Sequence, residues 1–366
     1  MAKSKPKAVD MFCGCGGTTQ GLKDAGFDVI AGVEVDPLAV KTFRANHDEV
    51  TVWDQDIRQI TPRMVMKRHG LRKGELDVLA GCPPCQAFSA MRRLNGNKRV
   101  RDKHSKDLVF DYLRFVEGLK PKVVLIENVP RLMRDYRFNQ VRKRLRDLGY
   151  VGRPMIFNAA DFGVPQRRRR MVFSASRIGP IDYAPAEDRK LRRSVRDTIG
   201  VLPKPSASDD PLHDPMEYRS ERITKMIALI PKDGGSRSAL GRRGQLECHK
   251  RCNGFKDVYG RMAWDDVAPT ITGGCVNPSK GRFLHPTQNR AITLREAALL
   301  QSFPPNYQFS LDRGKFAVAL MIGNAFPPTF VRAHASQIRR HFQSNGYVNG
   351  EFRSNGDQLT GGSPHV

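Results

Sequence analysis

The sequence predicts an α/β protein built on a doubly wound, mostly parallel sheet, with a smaller loop-rich domain inserted late in the chain. Two observations carry this. The first half alternates short, continuous apolar runs with segments of helical period, the pattern of parallel strands covered by helices on both faces. Near residue 180 the alternation stops, and to about residue 260 the chain is rich in Pro, Gly, Ser, Arg and Lys.

The strands follow in order as "KAVDMF", "DVIAGVE", "VTVW", "LDVLAG" and "KVVLIENV", rich in the aliphatic and β-branched residues that suit a buried sheet. Helical segments fall between them at 37–47 and 108–120. In the second, Leu108, Tyr112, Phe115, Val116 and Leu119 share one face. "PMIFNA" and "RRMVFSAS" extend the sheet, giving a first domain over 1–180. The smaller domain covers 181–304 and holds the most basic stretch, "GRRGQLECHKRCNGFK". Apolar helix patterns return at "LREAALLQSF" and "FAVALMIGNAF", and residues 305–345 are expected to rejoin the first domain. Residues 346–366 are polar and Gly-rich and read as a disordered tail.

The 366 residues suffice for a sizeable core. Lys and Arg number 62 against 37 Asp and Glu, a net charge of +25. Self-repulsion of that size points to a polyanionic partner, and nucleic acid is favoured over a membrane surface. The start, "MAKSKPKAVDMF", has no apolar signal region, and no apolar run approaches the length of a membrane span, so a cytoplasmic protein is expected. Seven cysteines in a chain this long do not form a disulfide scaffold.

Four constellations carry chemistry. "DMFCGCGGTTQGL" follows the first strand and opens a helix, and Gly14, Gly16 and Gly17 permit a tight turn and close approach of a ligand. Thr19 stands where a dinucleotide fingerprint has its third glycine, and the Lys-Ser/Thr of a phosphate loop is missing. Glu34 ends the second strand, placed for both hydroxyls of a ribose, and Asp56 follows the third, within reach of an adenine amino group. A nucleoside without a pyrophosphate fits, and S-adenosylmethionine is one.

In "LDVLAGCPPCQAFS", a buried strand ends on a loop stiffened by Pro83 and Pro84. Cys82 and Cys85 have redox spacing, but the segment after them reads as loop rather than helix. A zinc site would join them to Cys248 and Cys252, yet the two pairs lie in different contexts and Pro-Pro makes a poor zinc knuckle. No metal is expected; Cys82 reads as a small buried residue and Cys85 as a thiol at the mouth of a site. "LIENVPRLM" ends the fifth strand in Glu127-Asn128, beside the Cys85 loop. A carboxyl group there is costly to bury unless used or paired, and it would disfavour a neighbouring thiolate unless protonated or balanced by cations. In "VPQRRRRMVF", strand alternation turns Arg168 and Arg170 one way and Arg167 and Arg169 the other.

In this order, "DMFCGCGG", "GCPPCQ", "IENV", "QRRRR", "REAALLQSFP" and "GNA" resemble the blocks of the DNA cytosine-5 methyltransferases, over about residues 8–176 and 268–335. The resemblance implies the S-adenosylmethionine-dependent methyltransferase fold, with the basic segment between the two matched parts belonging to target recognition. It implies that Cys85 is the nucleophile, that Glu127 contacts N3 of the cytosine ring, and that Arg168 and Arg170 support the base and the site. It also implies that Phe12, Glu34, Asp56 and Asn324 help to hold S-adenosylmethionine. With these we group Gly14, Gly16, Gly17 and Pro83 as cofactor-binding, and Pro84, Gln86, Ser89, Asn128 and Gln166 as substrate-binding. Phe326 departs from the family, which more often has a smaller aliphatic there, and bears on packing beside the cofactor.

The expected activity is methylation of carbon 5 of a cytosine flipped out of a specific double-stranded DNA sequence. The expected setting is a monomeric modification enzyme with a restriction endonuclease acting on the same site. The segment 91–106, dense in Lys and Arg, is expected to be a mobile loop closing over DNA. The rivals are a tRNA cytosine-5 methyltransferase of the same fold and a catalytically silent DNA-binding module. The long basic segment argues against the first, and intact Cys85, Glu127 and Arg168 against the second.

Overall fold

The computed structural model of the chain describes residues 5–84, 108–215, 218–244, 257–348 and 351–352. Strands β1 (Lys7–Met11), β2 (Asp28–Val33), β3 (Thr51–Trp53), β4 (Val78–Gly81), β5 (Val123–Asn128), β6 (Val151–Asn158) and β7 (Arg169–Ser176) form one sheet in the order β3-β2-β1-β4-β5-β7-β6. The first five are parallel, and β7 runs antiparallel between β5 and β6. The strand order reverses between β1 and β4. In an open sheet of this kind the crevice outside the carboxyl ends at that point is where ligands bind.

The helices are α1 (Gly17–Asp24), α2 (Pro37–Asn46), α3 (Pro62–His69), α4 (Leu108–Leu119), α5 (Tyr136–Asp147), α6 (Val195–Ile199), α7 (Glu221–Leu229), α8 (Leu294–Leu300), α9 (Gly314–Asn324) and α10 (Pro328–Ser344). Their starts are written locally. Asp36 and Thr61 accept bonds from Leu38 N and Met64 N at the caps of α2 and α3, each followed by proline, and Thr293 and Glu296 form a reciprocal capping box on α8.

Strand alternation sorts the core into two layers. Val9, Met11, Leu79, Val124 and Ile126 meet Tyr112, Phe115, Phe138 and Val141 on one face of the sheet. Ala8, Val78, Ala80, Val123 and Leu125 meet Leu22, Phe43, Phe330, Ile338 and Phe342 on the other. The later chain docks beside α1 and α2 through a third cluster that joins Cys15, Leu38 and Ala39 to Ile271, Leu294, Phe303, Tyr307 and Ile322. Met226, Ile227, Ile230, Val258, Tyr259 and Leu284 make a fourth, small core. Beside it the buried Arg261 donates to the carbonyls of Ile227, Ile230, His285 and Gln288.

Two expectations need correcting. Residues Gly314–Ser344 together have the length and apolar content to cross a membrane. They are two helices, broken where Ala325 and Pro327 turn extended, and Phe330, Val331, Ala335 and Ile338 are fully buried in the core. The tail does not begin at 346 either. Tyr347–Val348 pairs antiparallel with Glu351–Phe352, and the Tyr347 ring lies 5.8 Å from that of Phe342; residues 353–366 lie outside the described residues.

Buried histidines make the fold acid-sensitive. Desolvation lowers His47 and His285 from 6.5 to about 4 and His334, ringed by Phe157, Phe162 and Phe330, to about 3. Burial also raises Asp10 from 3.8 to about 7. Near pH 5 the unfolded chain therefore binds about three more protons at these histidines and one fewer at the aspartate, a net excess of two. Stability conferred by the neutral histidines is full above pH 6.5 and is lost as pH falls toward 4; with the opposing aspartate included, the net loss near pH 5 is roughly 3 kcal/mol per unit. Urea titrations at pH 7, 6 and 5 check this, and a midpoint that does not move contradicts it.

Candidate active site

The sequence-assigned residues at the ends of β1, β2, β4 and β5 converge on the crevice. After Met11 the chain turns through left-handed residues at Phe12 (φ 62°), Gly14 (φ 54°) and Gly16 (φ 94°) before α1 begins at Gly17. A left-handed Phe12 is strained for a bulky residue and persists only where its surroundings enforce it. Here Cys13 N bonds Val33 O at 3.0 Å and Gly16 N bonds Cys13 O at 2.9 Å. A side chain on Gly14 would meet nothing within 4 Å, so the turn's outer face is open. One on Gly17 would strike the Phe326 carbonyl at 2.6 Å. That contact brings Asn324, exposed at the end of α9, beside the turn. The Phe326 ring itself points into the core, 5.3 Å from that of Phe330.

Glu34 joins the turn to β2. Its Oε2 accepts from Gly14 N and its Oε1 from Val35 N and Asp36 N, each at 2.9 Å. A carboxylate has about four acceptor sites, so one remains, on Oε2. Val35, next in the chain, is 62% exposed. An exposed valine at this edge gave no signal in the sequence, because it looks like the end of its strand. Asp56 is committed otherwise than the sequence suggests. Its carboxylate caps Arg58 N and pairs bidentately with the Arg58 guanidinium, which holds its pKa below the usual carboxylate value.

Glu127 and Cys82 lie side by side, because Gly81 and Ile126 are register partners in β4 and β5. Glu127 is 6% exposed. Arg170 stands two residues before Val172, the register partner of Glu127, and so projects from the same face as its diagonal neighbour. Arg170 Nε lies 2.8 Å from Glu127 Oε1. The pair is ionic only: among the described residues nothing makes a hydrogen bond to that buried oxygen. Burial, and then the Glu127 charge, push the Cys82 thiol well above its ordinary value. Its sulfur is 3.7 Å from Thr18 Oγ1 and in no disulfide.

The loop after β4 is pinned by Asn128, whose amide donates to the Pro83 carbonyl at 2.9 Å while its oxygen accepts from Val129 N. Pro83 is buried and Pro84 exposed. Cys85, Gln86 and Ser89, the basic segment 91–106, and Cys248 and Cys252 lie outside the described residues. Among those described, no three His, Cys, Asp or Glu side chains are placed to hold a metal ion.

The arginine run alternates as read, but two of its members brace the scaffold. Arg167 is exposed and pairs with Asp266, whereas Arg168 is 1% exposed and donates to the carbonyls of Ile271, Gly323 and Ala325 at 2.9–3.1 Å. Gln166 is a correction to the substrate set: it is fully buried, its oxygen accepts from Ile271 N, and its nitrogen is spent on Leu300 O and Gln301. Arg168→Met would strip the donors from Ile271 O and Gly323 O, while Gln301 still serves Ala325 O. The expected cost is about 2–5 kcal/mol of stability, read by urea unfolding at neutral pH; a loss below about 0.5 kcal/mol would contradict it.

The family model of the C-5 cytosine-specific DNA methylases matches residues 7–340, which includes every element of this site. The chain belongs to that family. A type II methylase of Herpetosiphon aurantiacus, M.HgiDII, is 34% identical over 351 residues, covering 92% of this chain and 95% of its own. The type II methyltransferase M1.HphI of Haemophilus parahaemolyticus is 32% identical, with 90% and 86% covered. Among solved structures, a prophage-encoded chain from E. coli superposes with a TM-score of 0.70 at 21% identity, over 92% of this chain and 99% of that one. DNMT2 of Spodoptera frugiperda does so with 0.63 at 15% identity, over 91% and 99%. At those identities the likeness is one of fold: the mixed seven-stranded sheet is that of the methyltransferases. This C-5 cytosine DNA methylase of the bacterial modification type is therefore an enzyme that methylates cytosine in DNA.

Proposed function

We propose that the enzyme methylates a cytosine flipped out of a specific duplex sequence, through a covalent adduct between Cys85 and carbon 6 of the ring. The observation that carries this reading is Glu127. It is buried at the carboxyl edge, charge-paired with Arg170, and keeps an oxygen without a hydrogen bond beside the loop that leads to Cys85. Carbon 5 of cytosine is a poor nucleophile. When the Cys85 thiolate adds to carbon 6, electrons move into the ring and carbon 5 becomes an enamine carbon. Glu127, donating to N3 from a protonated carboxyl group, stabilises the negative charge that accumulates there, and Arg170 holds the carboxyl group in place. After carbon 5 has gained the methyl group, a base removes its proton, the ring electrons expel the sulfur, and the thiolate is restored. Cys82, kept protonated by burial and by Glu127, is unsuited to this role.

The crevice fits S-adenosylmethionine, which supplies the methyl group. The open face at Gly14 gives the close approach, Glu34 Oε2 has one acceptor site for a ribose hydroxyl, and Val35 offers an apolar wall to the base. Phe12, Gly16, Gly17, Pro83 and Asn324 complete the pocket. Asp56, tied to Arg58, shapes its rim. Pro84 and Asn128 position the nucleophile's loop, and Gln86 and Ser89 contact the substrate. Residues 181–304 read the target, with 1–180 and 305–345 as the catalytic part. The protein acts as a monomer in the cytoplasm. The named relatives are type II enzymes, which supports a companion restriction endonuclease for the same site.

The test is transfer of labelled methyl groups from S-adenosylmethionine to duplex DNA and, separately, to tRNA, followed by bisulfite sequencing of the DNA. One recurring sequence with a protected cytosine is expected. Label in tRNA alone, or at a ring nitrogen, would overturn the reading.

A further inference from the structure

The turn that lines the proposed cofactor pocket is held from behind by residues that touch neither substrate nor reacting atoms. The buried Tyr307 hydroxyl donates to the Cys15 carbonyl at 2.5 Å, in the middle of the turn. That uses its only proton. The contact at 3.0 Å between His47 Nε2 and the same hydroxyl must therefore be donated by the ring nitrogen. His47 Nδ1 is then the acceptor, and Lys23 Nζ stands 3.3 Å away to supply its proton. Lys23 is in turn paired with Glu49. The directions are consistent from Glu49 to the Cys15 carbonyl, with every proton assigned once.

Two further observations set this chain apart from ordinary core packing. A side chain on Gly16 would stand 2.5 Å from the Tyr307 hydroxyl and 2.6–2.7 Å from the His47 ring, so the pair presses on the left-handed residue itself. Tyr307 also has no freedom to follow the turn if it relaxes. Arg295, paired with Asp210, donates to its carbonyl at 2.9 Å, and the Asn46 amide engages both backbone groups of Gln308 at 2.9 Å. Phe303 and Phe309 close around its ring at 4.7 and 5.3 Å. The turn is thus clamped on its inner face by a fixed buttress and left open at Gly14 on its outer face.

We propose that Tyr307 and His47 are positioning residues of the cofactor pocket: they hold Phe12–Gly17 in its strained, ligand-ready conformation and so set the affinity for S-adenosylmethionine without entering the chemistry. This rests on the reading that the turn and Glu34 hold that cofactor. A strained turn with one clamp removed spends part of its time in relaxed conformations, and apparent affinity falls in proportion to the competent fraction. Loss of one such hydrogen bond corresponds to a drop of about five- to tenfold.

Binding of S-adenosylhomocysteine, measured by calorimetry on the full chain without DNA, tests the proposal. Tyr307→Phe keeps the ring and is expected to raise Kd about five- to tenfold, to speed amide exchange at Gly14, Gly16 and Gly17 in the unliganded protein, and to raise KM for the cofactor while kcat at saturation stays within about twofold. His47→Leu is expected to follow it. His47→Gln keeps a donor for the hydroxyl and is expected to stay near wild type, which reports on the hydrogen bond even if another variant folds poorly. Glu34→Ala is the control for the underlying reading and is expected to lose most binding. If Glu34→Ala weakens binding while Tyr307→Phe and His47→Leu bind as wild type, the positioning role is wrong and the pocket stands. If Glu34→Ala binds normally, the pocket reading fails and the proposal falls with it.

Discussion

Cys85→Ser is expected to lower the methylation rate by roughly 10⁴-fold or more while leaving the fold and S-adenosylhomocysteine affinity unchanged. A serine hydroxyl is almost never ionised at neutral pH, and without attack on carbon 6 the cytosine ring offers carbon 5 no electrons. The surroundings favour this thiol over its neighbour for the proposed attack. Asn128 fixes Pro83 through its carbonyl, Pro84 is exposed, and Cys85 is the next residue along a loop that two prolines have already stiffened. Cys82, in contrast, is pushed well above a usable value by burial and by the Glu127 charge. Cys82→Ser is therefore expected to keep most of the activity. Rates are read with labelled cofactor under single-turnover conditions, and the contradictory outcome is an active Cys85→Ser beside an inactive Cys82→Ser.

Glu127→Gln is expected to lower kcat by about 10²–10³ with little change in cofactor binding, the loss typical of a hydrogen-bonding group aimed at charge that develops only in the transition state. The carboxyl group is 6% exposed and its charge partner is Arg170 at 2.8 Å. Arg170→Met removes that partner and leaves a buried charge uncompensated, so it is expected to slow the reaction and to destabilise the protein together. Glu127→Gln leaves Arg170 without its counter-ion, but that guanidinium is the more exposed of the two and still donates to the Arg169 carbonyl, so slow chemistry is expected with a smaller fall in the unfolding midpoint than in Arg170→Met. Equal single-turnover rates for Glu127→Gln and wild type would remove Glu127 from the mechanism.

Much of the sheet is legible in the sequence because β1, β2, β4 and β5 are largely buried on both faces and so appear as apolar runs, interrupted within β1 only by Asp10. The position of β7 between β5 and β6 is not, since its alternation fits several places in a mixed sheet. The same limit applies within the site. That Arg168 turns inward follows from strand parity. That it meets the carbonyls of Ile271, Gly323 and Ala325 does not, because those groups lie more than one hundred residues away and carry no side-chain signal. Gln166 looks like a substrate ligand beside four arginines and is instead consumed by Ile271, Leu300 and Gln301. Tyr307, within "FPPNYQF", has nothing local to mark it; only the fold carries its hydroxyl to Cys15.

The most direct measurement is trapping on duplex DNA whose target cytosine is replaced by 5-fluorocytosine, in the presence of S-adenosylmethionine. Fluorine leaves no proton on carbon 5 for the closing elimination, so the bond from sulfur to carbon 6 persists. Wild type and Cys82→Ser are predicted to give a denaturation-resistant protein–DNA adduct, with peptide mapping placing the link at Cys85, and Cys85→Ser to give none. An adduct that survives Cys85→Ser, or that disappears with Cys82→Ser, would contradict the account.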